Sequence, residues 1–107
     1  MITEEQITKL KEAHPGAELH QIFNADTGVD VIVKAPSESE WKRFNRMRTD
    51  PDQRALCMET LFRACLVYPS PQDFAPTLAR LPGLAETFGS ELVDIAGVSR
   101  TNSRKKL

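Results

Sequence analysis

The first apolar pattern in the chain is that of a short amphipathic helix. Residues 3–6 (TEEQ) have the order of a capping box, in which the first side chain caps backbone N–H groups and the fourth reaches back to the helix start. Ile7 and Leu10 then share one face, and the PG pair at 15–16 ends the pattern. The sequence therefore predicts a short N-terminal helix, which must dock on another element to be stable.

The pattern then changes to the alternation of a β-hairpin. Valines alternate with polar residues in 29–34 (VDVIVK), and 19–23 (LHQIF) is a shorter run with weaker alternation. Between them lies the turn-rich segment 24–28 (NADTG), whose Gly28 can adopt a positive φ. Two strands alone are marginal in water, so we expect that one face lies against helices or that an edge accepts another strand.

Helical signals dominate from Pro36 onward. Residues 37–40 (SESE) repeat the capping-box order, and Asp50 and Ser70 each precede a proline suited to the first turn of a helix. Gly97 is a typical C-terminal stop. The helices predicted from these signals lie near 38–48, 52–66, 71–80 and 83–96.

Together these elements predict an α+β fold that is mainly α. We expect a short N-terminal helix, one β-hairpin and a bundle of about four helices. Residues 1–97 should form a single small domain, with the N-terminal helix and hairpin in 1–35 and the helical part in 36–97. Residues 98–107 lack apolar periodicity and are predicted to be a disordered, flexible basic tail.

The charge is balanced overall but unevenly distributed. The 107 residues include 14 Lys and Arg against 15 Asp and Glu, and the net charge of −1 gives no general attraction for nucleic acid or an anionic membrane. Arg100, Arg104, Lys105 and Lys106 lie in the tail, which leaves an acidic body. Because no apolar run could span a bilayer and no signal-peptide pattern is present, we expect a cytoplasmic protein with reduced thiols.

Cys57 and Cys65 are the candidates for thiol or metal chemistry. A helix over 52–66 would place Cys65 on an inward stripe that consists of Ala55, Met58, Phe62 and Cys65. Cys57 lies about two turns earlier, too far for a disulfide or for joint ligation of one ion. The two histidines, His14 and His20, do not combine with either cysteine in a metal-ligand spacing. We therefore predict core packing for the cysteines, and no catalytic residue, metal site or cofactor.

Known local motifs do not change this prediction. Residues 24–30 (NADTGVD) partly match a calcium-binding loop, but Gly falls at the fifth place instead of the sixth and no Glu follows at the twelfth. A hairpin turn is the simpler interpretation. The phosphate-binding, hydrolase and metalloprotease motifs that can be recognised locally do not occur, so nothing in the sequence points to an enzyme.

A basic and aromatic cluster at 41–48 (WKRFNRMR) suggests an alternative partner, nucleic acid. Trp41, Phe44 and Met47 recur every third residue and form an inward stripe. The cations that occupy the remaining arc are Lys42, Arg43, Arg46 and Arg48. Flanking carboxylates leave the region almost neutral, and the tail adds few cations. A small nucleic-acid-binding regulator that uses helix residues 42–48 and the tail is therefore the less favoured function.

Three segments carry a resemblance to a known family. They are PSESEWKRF at 36–44, CLVYP at 65–69 and LPGLAETFGSELVDIAG at 81–97. In this order, and over residues 31–97, the chain resembles the small tail assembly chaperones of tailed phages and prophages. The resemblance implies a non-enzymatic protein of the bacterial host cytoplasm that binds the long tape-measure protein while the tail tube assembles.

The resemblance also names partners, although it assigns no contact residue. The tape-measure protein is the expected client, the tail tube protein is a second candidate, and self-association into a homo-oligomer stays open. Exposed aromatic residues are typical anchors of such contacts. We predict Trp41, Tyr68 and Phe74 as partner-binding residues, with Tyr68 and Phe74 exposed because each lies beside a proline at a helix junction. Phe44 and Phe88 are expected in the core.

Overall fold

A computed structural model describes residues 2–97 and 105–106 and has the α+β, mainly α fold that the sequence predicts. The helices are α1 (Glu4–Ala13), α2 (Glu38–Thr49), α3 (Cys57–Cys65), α4 (Pro71–Arg80) and α5 (Leu84–Ile95). The strands are β1 (Leu19–Asn24), β2 (Val29–Lys34) and β3 (Leu66–Tyr68). Apart from Lys105 and Lys106, the predicted basic tail lies outside the described residues.

Three of the four predicted caps start helices where the sequence places them, whereas Asp50 ends α2 and starts no α-helix. Thr3 and Ser37 each accept a hydrogen bond from the backbone of the residue three positions on. Gln6 and Glu40 complete the two capping boxes by accepting from the cap backbones. Ser70 caps α4 in the same way, with a proline in the first turn.

The sheet has three antiparallel strands in the order β1-β2-β3. Residues 24–28 form the hairpin turn: Asn24 Oδ1 accepts from the Thr27 N–H, and Gly28 has a φ of +74°. The turn interpretation of this segment is confirmed. Because β3 pairs with β2 at Ile32 and Val33, the edge of the predicted hairpin that is unpaired along its whole length within the described residues is that of β1.

The helix predicted over 52–66 is wrong at both ends. Its first part is a turn followed by a short 3₁₀ helix, Arg54–Leu56, and the α-helix begins only at Cys57. The 3₁₀ geometry rotates side chains differently, so Ala55 is exposed instead of facing the core. At the other end Leu66–Tyr68 is extended. Pro69 disfavours the helical conformation of Tyr68 before it, and Tyr68 pairs with Ile32 of β2.

The core lies between the sheet and helices α2 to α5. Its fully buried centre consists of Phe62, Phe88, Leu92, Val31, Val33 and Cys65. Three of the phenylalanines form one cluster, in which the ring of Phe62 lies 5.5 Å from those of both Phe74 and Phe88. Such aromatic pairs add to the free energy gained from burial alone.

Helix α1 lies on the opposite face of the sheet. A cavity of about 160 Å³ separates Ile7 and Lys11 of α1 from Leu19 and Ile32 of the strands. Gln6 also donates a hydrogen bond of 3.2 Å to the hydroxyl of Tyr68 on β3. The marginal N-terminal helix is therefore docked, and the sheet is covered on both faces at this end.

Candidate protein-binding groove

The two faces of the sheet have different environments. Side chains of directly paired residues share a face, so Ile22, Val31 and Val33 point to the core. His20 lies on the same face, with its ring bonded to Glu18. The residues on the other face, called here the outer face, are Leu19, Gln21, Phe23, Asp30, Ile32 and Lys34. Helix α1 covers only part of this outer face.

The uncovered part of the outer face forms an open groove of about 460 Å³. Its lining consists of Ile2, Gln21, Phe23, Gly28, Asp30 and Tyr68. Phe23 is 60% exposed, the largest exposed fraction among the large hydrophobic residues of the described chain. This combination of an exposed ring and a concave, partly apolar surface is typical of an interaction site.

Hydrogen bonds hold the polar side chains of the groove in place. The Gln21 amide donates to both carboxylate oxygens of Asp30, at 3.1 and 2.9 Å. The Tyr68 hydroxyl accepts from Gln6. Because each carboxylate oxygen keeps further lone-pair capacity, Asp30 can still accept a hydrogen bond from a bound segment. The groove therefore offers one aromatic anchor and one oriented acceptor.

Of the predicted partner-binding residues, only Tyr68 lines this groove. It is half-buried, with its ring at the edge strand β3. Trp41 is also half-buried, but it lies on α2 and stacks on Phe44 at a ring distance of 5.2 Å. The structure does not bring Trp41 and Tyr68 together in the groove.

The exposure predicted for Phe74 is wrong. Phe74 is only 3% exposed and packs edge to face against Phe62 and Phe88. It lies four positions into α4, where the helix turns its side chain onto the core, so the neighbouring prolines do not expose it. Phe74 therefore belongs to the core with Phe44 and Phe88, whose predicted burial is confirmed.

Two groove residues, Ile2 and Phe23, were not predicted as binding residues. The sequence does carry a signal for Phe23, because period-two alternation places it on the opposite face from Ile22. Ile2 precedes the Thr3 cap, a position where a hydrophobic residue commonly packs against its own helix. Tertiary packing, and not a local pattern, places Ile2 and Phe23 along the groove.

The basic residues of α2 are separated from the groove. Lys42 forms an ion pair with Glu38 at 2.8 Å, and the Arg48 guanidinium lies 5.6 Å from the centre of the Phe44 ring. Arg43 and Arg46 are exposed. The predicted inward stripe is confirmed for Phe44 and Met47, which are buried, whereas Trp41 is only half-buried.

The cysteines are free and buried, as the core-packing prediction requires. Cys65 is fully buried, and its Sγ lies 4.0 Å from a carboxylate oxygen of Glu40. Burial raises the pKa of the Cys65 thiol to about 12, and the negative charge of Glu40 adds to the effect, whereas Lys34 opposes it. At neutral pH Cys65 is thus a protonated thiol, which is a poor nucleophile and a poor metal ligand.

The Glu40 carboxylate is held in its charged form. Burial opposes its ionisation, but the backbone and side chain of Ser37 and the ammonium of Lys34, 3.3 Å away, outweigh burial and lower the pKa of Glu40.

Within residues 2–97 and 105–106, the His, Cys, Asp and Glu side chains form no group of three or more placed to hold a metal ion. In the same residues, no helix has both the length and the hydropathy needed to cross a membrane.

Comparison with known proteins identifies a family. The chain belongs to the family described as a domain of unknown function, DUF6848, which matches residues 4–105. The chain also resembles the solved structure of the uncharacterised protein RBSTP2171 from Bacillus stearothermophilus. The two are 21% identical with a TM-score of 0.78, over 92% of this chain and 99% of that one, which shows a shared fold. Among curated proteins, none matches the sequence.

Proposed function

We propose that this protein is a non-enzymatic assembly chaperone of the phage tail type, which binds a segment of a tape-measure protein in the outer-face groove. It acts in the cytoplasm of the bacterial host cell, with the tail tube protein as a second partner. The single observation that carries the groove assignment is the ring of Phe23, 60% exposed beside a concave surface. The resemblance of segments 36–44, 65–69 and 81–97 to such chaperones supplies the identity of the client.

The composition of the groove supports a polypeptide client. Phe23, Tyr68 and Ile2 supply apolar contact surface, and aromatic residues of this kind are frequent hot spots of protein interfaces. Asp30 supplies an acceptor for a backbone or side-chain N–H. An aggregation-prone client would bury an apolar side chain against Phe23 and so be kept from other apolar surfaces.

The proposal can be tested by co-expression with the tape-measure protein encoded by the same phage or prophage. We expect a soluble complex that co-purifies through both proteins. The substitution Phe23→Ser should weaken the complex by at least about tenfold, the loss usual for a buried aromatic anchor.

Leu56→Ser is the matched control for this experiment. Leu56 is 53% exposed, so its replacement removes a comparable exposed apolar side chain, but it lies in the short 3₁₀ helix and does not line the groove. Binding should be unchanged in this variant. Failure to form any complex would contradict the chaperone function, and equal losses in the two variants would contradict the groove.

Nucleic-acid binding through α2 and the tail is the alternative function. Exposed Arg43 and Arg46 support it, because they are free to meet phosphates. It predicts that an oligonucleotide binds at low salt, that affinity falls steeply as salt rises, and that the double change Arg43→Gln and Arg46→Gln weakens binding. A flat titration at low salt would dismiss this alternative.

A further inference from the structure

Strand β1 has an unpaired backbone edge of defined geometry. The Ala35 N–H donates to the carbonyl of Glu18 at 2.8 Å, next to the Leu19–Lys34 pair. In an antiparallel ladder, residues whose N–H and C=O groups bond to the neighbouring strand alternate with residues whose groups point away from it. Because Glu18 bonds to Ala35, the even-numbered residues of β1 are the ones that bond to β2. The N–H and C=O groups of Leu19, Gln21 and Phe23 therefore point away from the sheet, and no backbone bond within the described residues uses them.

This edge lacks four of the features that protect other edge strands. Natural sheets blunt their edges with Lys, Pro, bulges or very short strands. Strand β1 (LHQIFN) contains neither Lys nor Pro, runs for six residues and pairs with β2 in an unbroken register. The irregularity of this sheet lies instead at Ile32/Val33, between β2 and the three-residue strand β3. The edge of β1 is thus open to another strand.

We propose that the partner is a second copy of this chain, paired antiparallel through β1 about a two-fold axis at Gln21. In this register Gln21 lies opposite Gln21 of the second copy, and Leu19 lies opposite Phe23. Every outward N–H and C=O of the three residues then meets a partner, since residues with outward groups face one another. Shifting the register by two residues leaves part of these groups unpaired.

The side chains of β1 fit this self-pairing. The outer-face pairs are Leu19 with Phe23 and Gln21 with Gln21, so no like charges lie directly opposite each other. The ring of Phe23 lies opposite Leu19 of the second copy, so the pairing adds an apolar contact beside the groove. On the core-facing side, His20 lies opposite Ile22. The apolar pair of Leu19 with Phe23 occurs twice, once on each side of the two-fold axis.

The pairing extends the sheet across both copies and places their two outer-face grooves on one surface. The pairing shares Phe23 with the proposed client site, but it does not rest on the proposed function, because the unpaired edge of β1 carries it and its test needs no client.

Charged residues introduced at the two-fold axis test the proposal. Gln21→Lys with Asp30→Asn places two ammonium groups opposite each other, and Gln21→Glu with Asp30→Asn places two carboxylates there. In neither variant does the charge of Asp30 offset or add to the new charges. In sedimentation experiments, the unchanged chain should have twice the 12.0 kDa mass of one copy. Each variant alone should be monomeric at concentrations where the unchanged chain dimerises, and the mixture of both should restore the dimer.

Ser90→Lys and Ser90→Glu, each combined with Asp30→Asn, are the controls, because they introduce the same charges at an exposed position of α5. They should leave the dimer intact, and circular dichroism should report the same helix content in every variant. A chain that stays monomeric at all accessible concentrations, or a dimer that survives Gln21→Lys with Asp30→Asn, would overturn the proposal.

Amide hydrogen exchange tests the register directly. In the dimer, the amides of Leu19, Gln21 and Phe23 should be protected to a degree that rises with protein concentration. The amides of His20 and Ile22 bond to β2 and should be protected at every concentration. A dimer in which the three outward amides exchange freely would place the interface elsewhere.

Discussion

Gly89 on α5 lies so close to Met58 on α3 that a Cβ added to Gly89 would be 3.1 Å from both the carbonyl oxygen and the Sδ atom of Met58. A backbone oxygen cannot rotate away as the end of a flexible side chain can. The absence of a side chain at Gly89 therefore sets the distance between α3 and α5, which pack closely along their length. Phe62 and Phe88 meet across the same interface.

A larger residue at this position should separate the two helices. We expect Gly89→Val to lower the free energy of unfolding by about 1–3 kcal/mol, the usual effect of overpacking. Valine has at least the helix propensity of glycine, so the loss would come from packing and not from the backbone. Urea denaturation measures it. Ser90→Val, on the exposed side of the same helix, is the control and should change stability by less than about 0.5 kcal/mol.

Truncation of Phe74 should lower the free energy of unfolding far more than truncation of Phe23. Phe74→Ala removes a buried ring from the aromatic cluster and should cost about 3–5 kcal/mol of unfolding free energy. Phe23→Ala removes an exposed ring and should cost less than about 1 kcal/mol. Thermal or urea unfolding distinguishes the two. Similar losses in both variants would show that Phe23 is as buried in solution as Phe74.

These two phenylalanines also show what sequence reasoning can and cannot reach. The capping boxes, the prolines in first turns and the alternation of 29–34 are local, so the helices α1, α2, α4 and α5 and the hairpin were predictable. Whether a particular ring is exposed depends on which face another element covers. Phe74 shares a face of α4 with Leu78, so that local spacing does indicate its burial. That α1 stops short of Phe23 is not encoded near Phe23 itself.

Strand β3 and the groove were missed for the same reason. The apolar spacing of α3 continues through Leu66, so a helix and a strand fit the sequence equally well there. Pairing with Ile32, distant in the chain, decides for the strand. The groove needs three separate segments, the residue before α1, the hairpin and Tyr68, and only the tertiary fold brings them together.

Cys65 should make the protein less stable as the pH rises above about 9. Its thiol pKa is raised from 9.0 to about 12 on folding, so below pH 9 the thiol is protonated in both states. Between the two values the unfolded chain loses the proton and the folded chain keeps it, and the free energy of unfolding falls by up to about 1.4 kcal/mol per pH unit. In urea denaturation, the Cys65→Ala variant should not show this fall in the free energy of unfolding with rising pH. Equal slopes in the two proteins would contradict a buried, protonated Cys65.

Glu40 should have the opposite dependence, at acid pH. Its pKa is lowered from 4.5 on folding because the hydrogen bonds from Ser37 and the ammonium of Lys34 outweigh burial. The stability it contributes is therefore fully present above about pH 4.5 and is lost as the pH falls through its lower folded pKa. Glu40→Gln removes the charge but keeps an oxygen for the capping box, as Gln6 does in α1. The variant should be less stable than the unchanged chain at neutral pH, and the difference should shrink in acid.

Glu38→Gln provides the control for this comparison, since Glu38 lies on the same helix but its pair with Lys42 is solvent-exposed and should contribute little to stability.

A second measurement tests whether Glu40 acts on the thiol of Cys65. The carboxylate of Glu40 lies 4.0 Å from the Sγ of Cys65 and helps to raise the pKa of that thiol, so Glu40→Gln should lower the pKa of Cys65. The alkaline fall in the free energy of unfolding should then end at a lower pH than in the unchanged chain. An unchanged alkaline profile in Glu40→Gln would mean that Glu40 and Cys65 do not interact.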